Sequence, residues 1–140
     1  MRVVVDTNVV IAGLRARRGA SFGIVSAMLQ NRLDFLISVP LLLEYEEIMK
    51  RANPSLLPHF TDPEKDAFLN GFAAFGLCSK IFYLWRPVLR DPDDDMLVEL
   101  AVAGAATYIV TSNTGDFQGA DSFAFTVITP QYFYRNHHPL

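Results

Sequence analysis

Apolar positions along this chain come in short continuous runs separated by stretches with helical spacing. Val3 to Val5 are three β-branched residues with no polar interruption, the pattern of a strand covered on both faces in a parallel sheet. Residues 22–31 then place Ile24, Val25, Met28 and Leu29 at helical spacing behind Ser21, the expected N-cap. RLDFLIS (32–38) reads as a second strand. Pro40 suits the first turn of a helix running to about Arg51, with Leu43, Ile48 and Leu42 inward, and NPSLLP (53–58) breaks the chain.

The second half repeats this grammar. TDPEKDAFLNGFAAFG (61–76) opens with a capping residue, a proline just inside and acids in the first turn, and its helix is expected to end near Gly76. IFYLW (81–85) suits an edge strand. DPDDDMLVELAVAGA (91–105) is another helix, with Leu97, Leu100, Ala101 and Gly104 along one face. TYIVT (107–111) and AFTVIT (124–129) are strands, and PQYFYRN (130–136) closes as a short helix. Strands alternating with helices predict an α/β fold of three layers, α/β/α, around a mainly parallel sheet.

Length and composition narrow this further. At 140 residues the chain suits a single domain, 1–140, and 51% hydrophobic against 19% charged residues makes it globular rather than disordered. No apolar run is long enough to span a bilayer, and Asp6 and Asn8 interrupt the segment where a signal peptide would carry its apolar core. One cysteine, Cys78, forms no internal disulfide; it is expected in the core, and the protein in the cytoplasm. A formal charge of −3 recruits neither nucleic acid nor an anionic membrane overall, so any polyanion must meet a local basic patch.

The chemistry lies in where the acids fall. In an open parallel sheet, reactive groups gather beyond the carboxyl ends of the strands, at the point where strand order reverses. Asp6 follows the first strand directly; Thr111, Asn113 and Asp116 follow TYIVT; Glu44 lies early in the helix after the second strand; and Asp91, Asp93, Asp94 and Asp95 surround a helix start. Each has a plainer reading: Asp6 and Asp116 as turn or cap acids, Glu44 with Glu46 and Glu47 on a solvated helix face, and the acids of RDPDDD as helix-capping charges. Two carboxylates about 4 Å apart repel by roughly 4 kcal/mol at an effective dielectric of 20. A gathering of them therefore needs protons or a hard divalent cation, and oxygen-only donors suit Mg²⁺ or Mn²⁺. His59, His137 and His138 lie in a loop and a tail without zinc spacing.

VVVDTNVVIAGL (3–14), LLLEYEEIMKR (41–51), RDPDDDMLVELAVAGA (90–105) and YIVTSNTGDF (108–117) occur in the order and spacing of the PIN-domain ribonucleases, and the chain resembles especially the VapC-like toxin components of toxin-antitoxin systems. The resemblance implies a Mg²⁺- or Mn²⁺-dependent endoribonuclease with a cognate antitoxin. It places the family acids at Asp6, Glu44, Asp94 and Asp116, with Asp95 as the one-residue alternative for the third. Asn113 becomes an accompanying polar ligand and Asp91 a partner behind the ligands, while Thr7, Asn8 and Thr111 match positions that orient the acids.

RNA affinity requires cations near the acids. Arg15, Arg17 and Arg18 in GLRARRGAS (13–21), a glycine-flanked loop expected to be mobile, are the candidates, with Arg86 and Arg90 in RPVLRD (86–91) on the other side. Their plainer reading is a solvated surface. Phe68, Phe72 and Phe75, at helical spacing, form either core or a homodimer face. Other acid-bearing α/β enzymes fit poorly: there is no Asp-x-Asp after the first strand, as a haloacid-dehalogenase-like phosphatase requires, and no lysine in YIVTSNTG (108–115), as a receiver domain requires. An RNA- or partner-binding domain with little turnover is the remaining alternative.

Overall fold

The computed structural model describes residues 1–52, 57–79, 92–118 and 123–140, with the side chains of 51, 52, 92 and 93 excepted. Among the described residues are five short strands, β1 (Val3–Val5), β2 (Leu36–Ile37), β3 (Leu77–Cys78), β4 (Tyr108–Val110) and β5 (Thr126–Ile128), and six α-helices. The helices are α1 (Thr7–Arg15), α2 (Ala20–Leu29), α3 (Val39–Glu47), α4 (Asp62–Phe75), α5 (Pro92–Ala103) and α6 (Pro130–His137).

Every strand pair is parallel. The ladders β1-β4-β5 and β2-β3 meet where Val3 pairs with Phe35 in a single bridge and the Val3 N–H donates to the Asp34 carbonyl at 3.1 Å. The strand order across the sheet is therefore β3-β2-β1-β4-β5. From β1 the chain steps outward to β2 and β3, and from β4 it steps the opposite way to β5. Strand order reverses between β1 and β4, and right-handed crossovers place the helices leading each way on opposite faces. The fold is a three-layer α/β/α sandwich.

The core explains the strand signals. Val3, Val4 and Val5 are wholly buried, as are Ile109 and Val110 of β4, so the central strands need no polar face. Phe35, Tyr45 and Phe72 pack edge to face beside them, with ring centroids 6.3 Å and 5.5 Å apart. On α5, Leu97, Leu100, Ala101 and Gly104 are buried along one face, as the spacing predicts. Thr61 caps α4 through a reciprocal capping box with Glu64.

Several expectations need correcting. A helix, α1, occupies Thr7–Arg15, where polar Asn8 and Gly13 mask the period, so Arg15 ends a helix rather than starting a mobile loop. Ser21 lies inside α2, whose N-cap is Gly19. The 32–38 strand shortens to two residues because Arg32 ends the α2 turn, its N–H bonded to the Ala27 carbonyl. On α3 Pro40 lies in the first turn, as expected, behind the Ser38 cap; Leu41 and Tyr45 are buried, Leu42 and, just past the helix, Ile48 pack partly buried against the core, and Leu43 is 57% exposed. After Glu47 the helix widens into a π-turn over Ile48–Ala52. Cys78 is exposed on β3. Phe72 is wholly buried, Phe68 packs edge to face on Phe60 and only Phe75 is exposed, so the three make no common face. The 81–85 strand, Asp91, Arg86 and Arg90 lie outside the described residues. Among the described residues no helix is long and apolar enough to cross a membrane.

Close helix packing depends on glycine. A Cβ on Gly13 would stand 2.4 Å from Val25 Cγ2 and 2.5 Å from the Ser21 carbonyl oxygen, so α1 and α2 touch backbone to side chain here. Gly13→Ala is expected to lower stability by about 1–3 kcal/mol through overpacking, whereas Gly115→Ala, with open space around it, is expected to be close to neutral. Urea unfolding midpoints of the two variants check this; equal midpoints would remove the close-approach argument.

Candidate active site at the strand-order reversal

Asp6 belongs to two elements at once. Its N–H donates to the Val110 carbonyl at 3.0 Å, adding one more rung between β1 and β4. Its own carbonyl accepts from Val9 N–H at 3.0 Å and Val10 N–H at 3.3 Å, which starts α1. With φ −66° and ψ 150° it is the N-cap, and Oδ1 accepts from Thr7 N–H at 2.7 Å. The sheet-to-helix turn thus fixes a carboxylate in the crevice between the carboxyl ends of β1 and β4.

Thr111 meets it from the other strand. Its N–H donates to the Ile128 carbonyl at 2.9 Å, continuing the β4-β5 ladder, and its buried hydroxyl donates to Asp6 Oδ2 at 2.7 Å. That hydroxyl also accepts from Asn113 N–H at 3.1 Å and, at a long 3.4 Å, from Asn8 Nδ2. Asn8, in the first turn of α1, donates to Asp6 Oδ2 at 3.3 Å and accepts from Ser112 N–H at 3.2 Å. The loop after β4 is therefore tied to α1 by one asparagine side chain.

Glu44 arrives on α3. Thr7 Oγ1 donates to Glu44 Oε2 at 2.6 Å, a charge-assisted bond of the short kind. The next residue, Tyr45, is wholly buried, and its hydroxyl donates at 2.5 Å to the carbonyl of Val5, the residue before Asp6. Tyr45 thus sets the height of α3 against β1 and, through it, the approach of Glu44. Burial, with the charges of Asp6 and Glu44 behind it, pushes the Tyr45 phenol well above its ordinary value, so it stays a donor. Sequence pattern offered no sign of this role, because a tyrosine that packs and one that clamps a carbonyl look alike.

Asp116 lies exposed on a single 3-10 turn, Thr114–Phe117, anchored by buried Phe117. Its charge is felt by Asp6: burial raises the Asp6 carboxyl above its usual range and Asp116 raises it further, against the lowering effect of the Thr111, Thr7 and Asn8 hydrogen bonds. No described cationic side chain pairs with Asp6. Asp94 and Asp95 are half-buried in the first turn of α5. Because α5 descends to β4, its first turn stands at the same carboxyl edge of the sheet as Asp6. Asp93 is on the same turn.

The arginines are elsewhere. Arg15 is the last residue of α1 and Arg17 and Arg18 follow it, so a nine-residue helix, roughly 13 Å at 1.5 Å per residue, separates them from Asp6. All three are exposed.

The donor set has room for a hard cation. Asp6 Oδ1 accepts one hydrogen bond and retains an acceptor site, and the groups converging with it are carboxylate, hydroxyl and amide oxygens. Among the described residues, however, no three His, Cys, Asp or Glu side chains stand close enough together to form a ready-made metal set.

A profile of the PIN domain family matches residues 2–115, most of the chain. This protein belongs to the PIN domain family. Among solved structures, the VapBC2 complex of Rickettsia felis bound to a fragment of its promoter DNA contains a similar chain. The TM-score is 0.57 over 92% of this chain and 98% of that one, at 14% identity, which is likeness of fold. No curated protein matches in sequence. The family match spans Asp6, Glu44, Asp94 and Asn113 and ends one residue before Asp116.

The raised Asp6 value has a signed consequence. The folded chain holds the Asp6 proton more tightly than the unfolded chain, so this carboxyl favours folding most in acid and progressively less as pH rises through its folded value. Asp6→Asn keeps an oxygen for the Thr7 N–H and removes the buried charge. In chelator, its urea midpoint is expected to gain on wild type as pH rises from the ordinary carboxyl range through the raised folded value of Asp6, and to hold that gain above it. A difference independent of pH would show that the burial of charge is not felt.

Proposed function

We propose that this PIN-domain protein is a divalent-cation-dependent endoribonuclease and the toxin member of a toxin-antitoxin pair. The observation that carries the proposal is Asp6: a carboxylate buried at the strand-order reversal, oriented by three hydrogen-bond donors, raised by a second carboxylate and matched with no described cation. A carboxylate kept there only as a helix cap would be cheaper at the surface, where N-caps ordinarily lie.

Asp6, Glu44 and Asp116, with Asp94 or Asp95 from the first turn of α5, are the residues assigned to hold Mg²⁺ or Mn²⁺, with Asn113 as an added oxygen donor. When bound, the ion supplies activation of water and stabilisation of charge on the attacked phosphate. The chain's own part is positional. Thr111 and Thr7 N–H hold the Asp6 carboxylate in one orientation, the Thr7 hydroxyl holds Glu44, and Asn8 keeps the loop that bears Asp116 against α1. The solved neighbour is itself a complex named VapBC2, and this likeness, added to the family membership, supports a protein partner of antitoxin type.

One observation favours the second reading, a binding domain with little turnover: three described acids do not already cluster tightly enough to ligate an ion. The two readings separate on purified protein. Cleavage of single-stranded RNA is expected with Mg²⁺ or Mn²⁺, none in chelator, and only background for Asp6→Asn, followed on a denaturing gel. RNA binding without cleavage at any metal concentration would decide for the binding domain. Thr7→Val, which leaves Glu44 without its hydroxyl donor, is expected to raise the Mg²⁺ concentration for half-maximal cleavage by about 10- to 100-fold. An unchanged metal requirement would remove Glu44 from the ion's coordination.

A further inference from the structure

Beyond the far end of α1 lies a cleft of about 430 Å³, bordered by the α1-α2 connection, one side of α2 and the end of the chain. Arg17, Arg18 and Arg32 all line it. Arg32 is held in place, its Nε donating to Gln30 Oε1 at 2.9 Å and Nη1 to the Leu140 carbonyl. Arg17 and Arg18 are exposed and make no described hydrogen bond or ion pair, so two guanidinium groups face the cleft with their donors free. Gly19, which caps α2 without any side-chain bond, lines the same cleft.

Aromatic surface accompanies the charge. Phe22 is 38% exposed, and Tyr134 lies across Gly23, where a Cβ would come within 2.2 Å of its ring. The Tyr134 ring also packs on His138, with centroids 4.8 Å apart. Cations beside aromatic faces form the combination that tracks a single-stranded nucleic acid, guanidinium on phosphate and ring on base. An apolar ligand would leave the arginines unpaired, and a small anion would leave the aromatic surface unused.

We propose that this cleft is a second RNA contact, which grips the phosphate backbone of a strand whose scissile bond lies at the acid crevice. The proposal rests on RNA being the substrate. The roughly 13 Å of α1 between Asp6 and the arginines corresponds to about four nucleotide steps at ~3.4 Å per strand. Substrate would therefore have to extend several nucleotides to one side of the cut before reaching Arg17.

The test is binding of a fluorescein-labelled single-stranded RNA of about 12 nucleotides to the full chain in chelator, read by anisotropy over a series of salt concentrations. Arg17→Gln/Arg18→Gln is expected to weaken binding at least about tenfold and to flatten the slope of log affinity against log salt by about 1.4, two contacts at ~0.7 each for a single strand. Circular dichroism of the variant, whose changes are at exposed positions, verifies the fold. Unchanged affinity and slope overturn the proposal. So does equally tight, Arg17- and Arg18-dependent binding of a glutamate-rich peptide, which would make the cleft a protein contact. The nuclease reading fails separately: wild type that cuts RNA while the double variant binds normally sinks only the cleft. Wild type that never cuts while the double variant loses RNA binding sinks only the catalysis.

Discussion

A carboxylate removed from water without a counter-charge among the described residues sets the terms for everything around it. Moving an ionised carboxyl into a protein interior costs several kcal/mol unless hydrogen bonds or opposite charge repay it. Asp6 is 7% exposed, and the fold meets part of that cost with the Thr7 N–H, the Thr111 hydroxyl and the Asn8 amide. The rest shows as a raised proton affinity, increased by Asp116. Every donor comes from an element that must be in register for the bond to exist: Thr111 only if β4 pairs with β1, Asn8 only if α1 begins at Thr7. The site and the sheet are therefore stabilised or lost together.

The same constraint explains the shape of the surroundings. Glu44 is brought in by a helix whose position is fixed two ways, by the Ser38 cap at its start and by the Tyr45 hydroxyl on the Val5 carbonyl. Tyr45 also closes the space beneath the acids with its ring against Phe72. Asp6, largely out of water, feels both the repulsion of Asp116 and the attraction of a cation more strongly than it would at the surface. A site arranged in this way is less stable empty than filled, and stability held back at a functional site is a common pattern.

How much of this the sequence discloses depends on where the deciding interaction lies. The central strands were legible because Val3 to Val5 and Ile109 and Val110 of β4 are buried and carry no competing signal, whereas β3, exposed Leu77–Cys78, left no strand signal. α4 was legible because Thr61, Pro63 and Glu64 are local start signals that need no tertiary partner. α1 was not, because its polar and small residues, Thr7, Asn8 and Gly13, are placed by contacts far away in sequence, with Thr111, Glu44 and Val25. The phase of α3 was read from leucines, but Leu43 faces outward and Tyr45 inward, since a buried carbonyl acceptor chooses the tyrosine. Asp6 and Thr111 could be assigned to one rim from strand order alone, whereas the Thr7 bond to Glu44 and the distance of the arginines from the acids required coordinates.

The arginines' displacement bears on how a chain of net charge −3 can handle a polyanion at all. α1 carries an acid at its N-terminus and Arg15 at its C-terminus, the arrangement the helix dipole favours at both ends. Local helix stability therefore accounts for Arg15, but not for the burial of Asp6, nor for Arg17 and Arg18, which lie beyond the last turn of α1, nor for Arg32, which lies beyond the end of α2. Carboxylates at the crevice repel phosphate until a cation is present, so affinity at the crevice alone would depend wholly on metal. A basic surface one helix length away escapes that dependence: at 0.1 M salt the Debye length is about 10 Å, so Arg17 and Arg18 act on a phosphate beside them with little interference from the acids. On the proposed reading, separating the charges that bind from the charges that react would let one small domain hold a polyanion and still keep the acids that a cation requires.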